Sequence, residues 1–302
     1  MTLYTQVSSN RFKTALYLVI FVILVLAIGG AVSAYYGSVD ILLIAGVIAI
    51  VQGITSLYFS DSLALAAAKA DKLDQAQYPQ VYRSVENLCI TAGLPMPRLF
   101  LIDDNAINAF ATGRDPQHAA LAITRGTIER LDKNELDGVL AHELSHVGNE
   151  DIRLMSMVMV MAGLIALISD IFLRSMWWGG GRRSNNDSND NSGAILMIIA
   201  IVLAVLAPIA ATLIQLAISR KREFIADANG VLLTRYPEGL ISALRKIGGD
   251  EEKLEVANRG TAHMYFTNPL TGQALAGLFD THPPIDQRIK ALEAGTGMAV
   301  EG

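Results

Sequence analysis

Apolar residues in this chain gather into four long blocks separated by polar stretches. The blocks run from about Ala15 to Tyr36, Val39 to Phe59, Ser156 to Leu173 and Ala194 to Ile218. Each is close to the ~20 residues that a helix needs to cross the hydrocarbon core of a bilayer. Only Gly37 and Ser38 separate the first two, which predicts a helical hairpin. Tyr35 and Tyr36, then Trp177 and Trp178, stand at block ends, where aromatic belts meet the interface. Asp170 near the end of the third block must snorkel or face other helices. The Gly-, Ser- and Asn-rich stretch from Trp178 to Gly193 cannot bury a core and reads as a loop. Val32-Ser33-Ala34, downstream of Arg11 and Lys13, would suit a cleavable signal. The apolar run exceeds the usual ~7–15 residues of a signal core and a second block follows at once, so a retained span is expected.

The polar segments show other periods. Sequence from about Asp61 to Gly93 reads as helical, Gly93 to Pro97 as a turn, and Arg98–Ile102, Ala106–Thr112 and Ala119–Thr124 as strands. Asp132 and Glu135 match a capping box, so a helix starts there. The C-terminal tail reads as mostly helical, broken at Gly248-Gly249 and Pro283-Pro284.

Composition sharpens the membrane reading. Over 302 residues, 52% are hydrophobic and only 18% charged, with mean hydropathy +0.37. Soluble domains are nearer a quarter charged. A net charge of −5 offers no basic stripe for nucleic acid. The single cysteine, Cys89, excludes an intrachain disulfide and reads as a small buried hydrophobe. Arg11, Lys13 and the Arg220-Lys221-Arg222 cluster place the N-terminus, the segment 60–153 and the tail on the cytoplasmic side. The arginines of the outer loop run against this pattern. The methionines from Met155 to Met161 read as filling a lipid-facing helix.

The capped helix carries the chemistry. Leu136, Val139, Leu140, Leu144 and Val147 form its apolar face, and His142-Glu143-Leu144-Ser145-His146 lies within it. Residues four apart share a helical face, so both imidazoles can reach one Zn²⁺ at ~2.0–2.1 Å. The glutamate between them can take a proton from water that the metal has acidified, and this is the pattern of zinc proteases. The alternative is a surface helix with two histidines by chance, yet the chain has only 5 histidines. His118 and His263 match no motif and read as structural or surface residues.

A catalytic zinc needs a third protein ligand and an open position. Glu150 lies four residues past His146, but Gly148-Asn149 should end the helix first. Glu223 and Asp227, four apart beyond the fourth block, are better placed. Glu223 can bind the metal, and Asp227 can accept the ring N–H of a ligand histidine. Two spans between His146 and Glu223 return the chain to the same side. The competing reading is a basic juxtamembrane cluster with internal ion pairs.

Taken in order, Asn108-Ala109-Phe110-Ala111-Thr112-Gly113, His142–His146 followed by Asn149 and Asp151, Ser219 to Asp227, and Thr281-His282-Pro283-Pro284 with Arg288 resemble the HtpX-type membrane metalloproteases, relatives of the CAAX prenyl endopeptidases. The resemblance spans most of the chain. It implies a zincin-like catalytic domain, Glu223 as third ligand beside His142 and His146, and one zinc per chain. It also implies Asp227, Asn149 and Asp151 behind the ligands, and Asn108, Ala109 and Phe110 on an edge strand that binds extended substrate. His282 becomes a candidate to stabilise an oxyanion, and Arg288 to hold that segment or a substrate carboxylate. The implied role is quality control of misfolded or unassembled membrane proteins, cut on the cytoplasmic side of a bacterial inner membrane.

The expected architecture is therefore mainly α, of α+β type: a zincin-like domain with a small sheet and four transmembrane helices in two hairpins. The expected divisions are an N-terminal hairpin at 1–60 and a first catalytic part at 61–153. A second hairpin follows at 154–219 with its loop at 174–193, then a second catalytic part at 220–302. Partners are polypeptides and the lipid bilayer. Two other readings stay open. A processing peptidase would cut one precursor at one site. A non-enzymatic four-span protein with structural zinc would not need the glutamate between its histidines. An intramembrane protease is disfavoured, because the motif helix carries Asp132, Lys133, Glu135 and Asp137.

Overall fold

The computed structural model describes residues 3–163, 220–250, 252, 254, 264–267 and 283–295. Helices α1 (Leu3–Tyr36) and α2 (Val39–Tyr58) form the predicted hairpin, turning at Gly37 with φ +66°. Both are long and apolar enough to cross a membrane, over Val7–Gly30 and Val39–Tyr58. Large apolar side chains such as Val19, Ile23, Ile44, Val47 and Val51 point outward from them. Of the third block only residues 156–163 are described, inside a helix over 151–163 that we call α7. The rest of that block, the fourth block, Trp177, Trp178 and the 174–193 loop lie outside the described residues.

The expected helix from Asp61 to Gly93 is interrupted. Helix α3 (Ser60–Ala67) ends where Lys69 adopts a left-handed φ of 49°, and β1 (Ala70–Lys72) follows. Pairing with β2 (Arg98–Ile102) overrides the local sequence there, which has no strand propensity of its own. Helix α4 (Pro79–Ala92) restarts with proline at its first position and stops at Gly93, φ +66°.

Strands β3 (Ala109–Thr112) and β4 (Ala120–Thr124) complete a mixed sheet of order β1-β2-β4-β3, with β2 and β4 parallel. Every residue of β4 is buried, because both faces are covered. Leu121 and Ile123 join a core with α4 residues Val81 and Val85 and with Leu140 and Leu144. Ala120 and Ala122 turn to the other side, with Phe110, Met159 and Tyr265.

After α5 (Arg125–Arg130) comes α6 (Lys133–Gly148), closed by a complete capping box. Asp132 accepts from the Asn134 and Glu135 amides at 2.8 and 2.9 Å, and Glu135 accepts from the Asp132 amide at 2.8 Å. Helix α6 runs beneath the sheet and packs on α8 (Arg220–Thr234) and α9 (Pro237–Gly248), with α10 (Ile285–Gly295) beyond. Cys89 is buried in the core beside α4 neighbours Val85 and Leu88.

Helix α7 departs from expectation. Met157 and Met161 are buried with Leu154 and Val158 against Tyr17 and Phe21 of α1, while Met159 and Val160 pack on the sheet face opposite α6, with Ala120 and Ala122. The methionines of α7 therefore fill protein contacts and do not face lipid.

Candidate metal centre

Helix α6 places His142, Glu143 and His146 in the interior, at 0%, 2% and 4% exposure. The Nε2 atoms of the two histidines face each other at 3.1 Å. Glu223, carried on α8, brings its carboxylate oxygens to 3.7 Å from His142 Nε2 and 3.6 Å from His146 Nε2. Helix α8 comes this close because Gly230 lies against α6, where a Cβ would stand 3.1 Å from the His142 backbone nitrogen.

Each imidazole is held from behind. His142 Nδ1–H donates to Asp227 Oδ1 at 2.8 Å, and His146 Nδ1–H donates to Asp151 Oδ2 at 3.1 Å. These bonds fix the tautomer that presents both Nε2 lone pairs to one point. Asp151 reaches His146 because α6 stops at Gly148, Asn149 caps it, and Glu150 turns left-handed at φ 54°. Glu150 is thereby aimed away from the histidines, towards Arg11 and Arg153. Asn149 supplies its backbone carbonyl, which accepts from the Asn10 side chain.

The donor set fits a dication. Two imidazole nitrogens and a carboxylate, all buried, lie within 4.8 Å of one another. A tetrahedral ion with ~2.1 Å bonds separates its ligand atoms by about 3.4 Å, close to what is seen. Electrostatics agree. Burial outweighs Asp227 and pushes His142 down to about 4, so it stays neutral. Burial works the same way on His146, but the Asp151 hydrogen bond and the Glu223 and Glu143 charges raise it to about 9. The field that holds a proton there attracts a metal cation in its place. Burial raises Glu143 to about 7, and its carboxylate accepts from the Ala111 backbone N–H of β3.

Two groups of residues expected at the substrate have close partners within the chain. Arg288, read as a substrate or segment anchor, is completely buried. Its Nε and Nη2 donate to Asp227 at 2.8 and 2.6 Å, and its Nη1 donates to the Phe266 carbonyl at 3.1 Å. It is a positioning residue behind His142. Asn108, Ala109 and Phe110, read as a substrate-binding edge, lie under the 264–267 segment. Asn108 Nδ2 donates to the Thr267 carbonyl at 3.2 Å, the Phe266 amide donates to the Ala109 carbonyl at 2.8 Å, and Phe110 packs edge-on against Tyr265. That long-range return of the chain onto β3 leaves no mark in the local pattern. His282 lies outside the described residues, as does His263. His118 is an exposed partner of Asp115 and Arg114. Asn10 and Phe266 were not foreseen; Phe266 packs edge-on against His142, with ring centroids 4.7 Å apart.

A paired-histidine helix with its own buried glutamate, on a mostly helical fold with a small mixed sheet, defines a metallopeptidase. Comparison with known proteins agrees. The Peptidase family M48 model matches residues 75–296. A "Protease HtpX homolog" of Syntrophobacter fumaroxidans is 44% identical over 287 residues, covering 94% of this chain and 99% of that protein. Another, of Ligilactobacillus salivarius, is 44% identical over 293 residues, covering 96% and 99%. The crystal structure of S. mikatae Ste24p aligns with TM-score 0.49 at 18% identity, over 96% of this chain and 66% of that one. The chain belongs to peptidase family M48, as an HtpX-type membrane metalloprotease.

Proposed function

We propose that this enzyme is a zinc endopeptidase that cuts misfolded or unassembled membrane proteins on the cytoplasmic side of a bacterial inner membrane. His142, His146 and Glu223 would hold the ion, and Glu143 would move the protons. The observation that carries this reading is the convergence of His142 Nε2, His146 Nε2 and the Glu223 carboxylate, donated by two helices far apart in sequence. Four spans in two hairpins, with the catalytic parts at 61–153 and 220–302 on one side, are supported by the α1–α2 hairpin and by the meeting of α6 with α8.

A zinc ion bound there supplies Lewis acidity, which polarises a carbonyl and makes water a better nucleophile. The protein's own residues do the rest. Asp227 and Asp151 each accept an imidazole Nδ1–H, which turns Nε2 towards the ion and fixes the orientation of both rings. The Ala111 N–H holds the Glu143 carboxylate in place. From that position Glu143 takes a proton from the attacking water and returns it to the leaving amine. A group raised to about 7 by burial can do both. His282, just upstream of Pro283-Pro284 and Arg288, is assigned to the oxyanion on the sequence resemblance.

The test is cleavage of an unfolded protein such as casein by detergent-solubilised enzyme, with Glu143→Gln alongside, each with chelator and with added zinc. Cleavage at many sites by the wild type alone, lost with chelator and restored by zinc, is expected. Cleavage at a single site would point instead to a processing peptidase, and cleavage by Glu143→Gln would remove the glutamate from its role.

A further inference from the structure

The first membrane helix reaches into the support of the metal centre. Asn10 of α1 is buried, at 4% exposure. Its Nδ2 donates to the Asn149 carbonyl at 2.9 Å and to Asp151 Oδ1 at 2.7 Å. The other Asp151 oxygen takes the His146 ring N–H at 3.1 Å. One carboxylate thus joins a membrane helix to a histidine of the centre. Asn10 Oδ1 accepts from Arg222 of α8 at 3.5 Å, so the knot also includes the helix that carries Glu223.

The neighbouring Arg11 grips the same turn. Its Nε donates to Glu150 Oε2 at 2.8 Å and its Nη2 to the other Glu150 oxygen. Glu150 is the residue whose left-handed backbone redirects the chain after α6. Had α6 simply continued, Asp151, five residues after His146, would stand about 140° around the helix from it. A non-glycine residue in the left-handed region is sterically strained and persists only when its surroundings hold it. Arg11 and Asn10 are those surroundings on the α1 side. The seam continues up the helix, where Tyr17 and Phe21 pack on Leu154, Met157, Val158 and Met161 of α7.

We propose that Asn10 is a positioning residue for His146, acting through Asp151, and that Arg11 braces the turn that makes this possible. α1 is then part of the metal centre's scaffold as well as an anchor. The inference rests on the reading of His146 as a metal ligand. Ligand-supporting residues typically change metal affinity by about 10–100-fold when removed.

The experiment uses full-length detergent-solubilised protein. Zinc affinity is measured by chelator competition, and ligand geometry by the visible absorption of the cobalt-substituted form. Asn10→Leu is compared with Phe12→Leu, an exposed neighbour on the same helix. We expect Asn10→Leu to weaken zinc binding about 10-fold or more and to shift the cobalt bands, with Phe12→Leu unchanged and helix content preserved in both. Arg11→Gln, which alters a largely exposed side chain, should shift both readouts in the same direction even if Asn10→Leu fails to fold. Wild-type affinity and cobalt spectrum in Asn10→Leu, or in Arg11→Gln where that variant must stand in, would overturn the proposal. So would equal changes in Phe12→Leu. His146→Ala separates the two ideas: if it keeps one tightly bound zinc per chain, the ligand reading has failed.

Discussion

Arg288 grips Asp227 with two parallel hydrogen bonds, at 2.8 and 2.6 Å, although 61 positions separate them in the chain. Asp227, held well below the usual carboxylate range at about 2, in turn fixes His142. Burial opposes that ionisation, and the guanidinium charge overcomes it. Lysine has one point charge and cannot reproduce the fork. Arg288→Lys should therefore weaken zinc binding about 10-fold. Arg288→Met, which strands a buried carboxylate, should cost about 3–5 kcal/mol of stability. Chelator competition and thermal melting in detergent check both. An Arg288→Lys protein matching wild type on each would show that the fork does not matter.

Glu143→Gln should keep its metal and lose activity by about 10²–10⁴-fold. In the wild type the ionised form acts as base, so activity should fall on the acid side as Glu143 takes up a proton. Its midpoint should lie at or below about 7, because a bound cation favours the carboxylate over the value set by burial. A pH profile of kcat/KM is the measurement; retention of the acid limb in the residual activity of Glu143→Gln would assign it to another group.

Glu135 anchors the start of the same helix. It accepts from Ser242 Oγ and Lys246 Nζ, each at 2.6 Å, as well as from the Asp132 amide. Burial raises its pKa, but the Lys246 hydrogen bond and then Ser242 and Asp132 outweigh it, and the net shift is downward. A depressed folded-state pKa means that the contribution is present above the unfolded value of ~4.3 and is lost as pH falls below it. Glu135→Gln should therefore melt lower than wild type at pH 7. The gap should begin to narrow as pH falls below the unfolded value of ~4.3 and should vanish only below the lower folded-state value, and a gap independent of pH would contradict the ionic origin.

Gly138→Ala should destabilise by about 1–3 kcal/mol through overpacking. A Cβ at that position would lie 2.9 Å from the backbone of Leu240 on α9, so whole helices must move apart. Thermal melting tests this, and an unchanged midpoint would mean that α6 and α9 can separate at no cost.

What could be read from the chain follows how local each signal is. The capping box and the i, i+4 histidines lie inside one helix, so α6 and its chemistry were visible at once. Glu223 and Asp227 were reachable because their spacing, and the parity of the spans expected from the apolar blocks, constrain them. Strand β1 was hidden, since Ala70-Asp71-Lys72 has no strand character and exists only by pairing with β2. The pairing of Arg288 with Asp227 was hidden because a charged residue on a helix looks the same in sequence whether it meets solvent or a buried aspartate. Asn10 was passed over beside Arg11, whose charge spoke only to orientation. Its partners lie 139 and 141 residues away.

The separation of these parts along the chain also orders events in time. A ribosome delivers Asn10 before the two histidines and Asp151, Glu223 and Asp227 only after the following apolar blocks, and Arg288 later still. The cluster of donors cannot close until the two apolar blocks that follow the histidines, and Glu223 beyond them, have been made. A nascent chain therefore carries its paired histidines for a long stretch of synthesis with its destructive chemistry disassembled, and it becomes dangerous only after Glu223 has arrived.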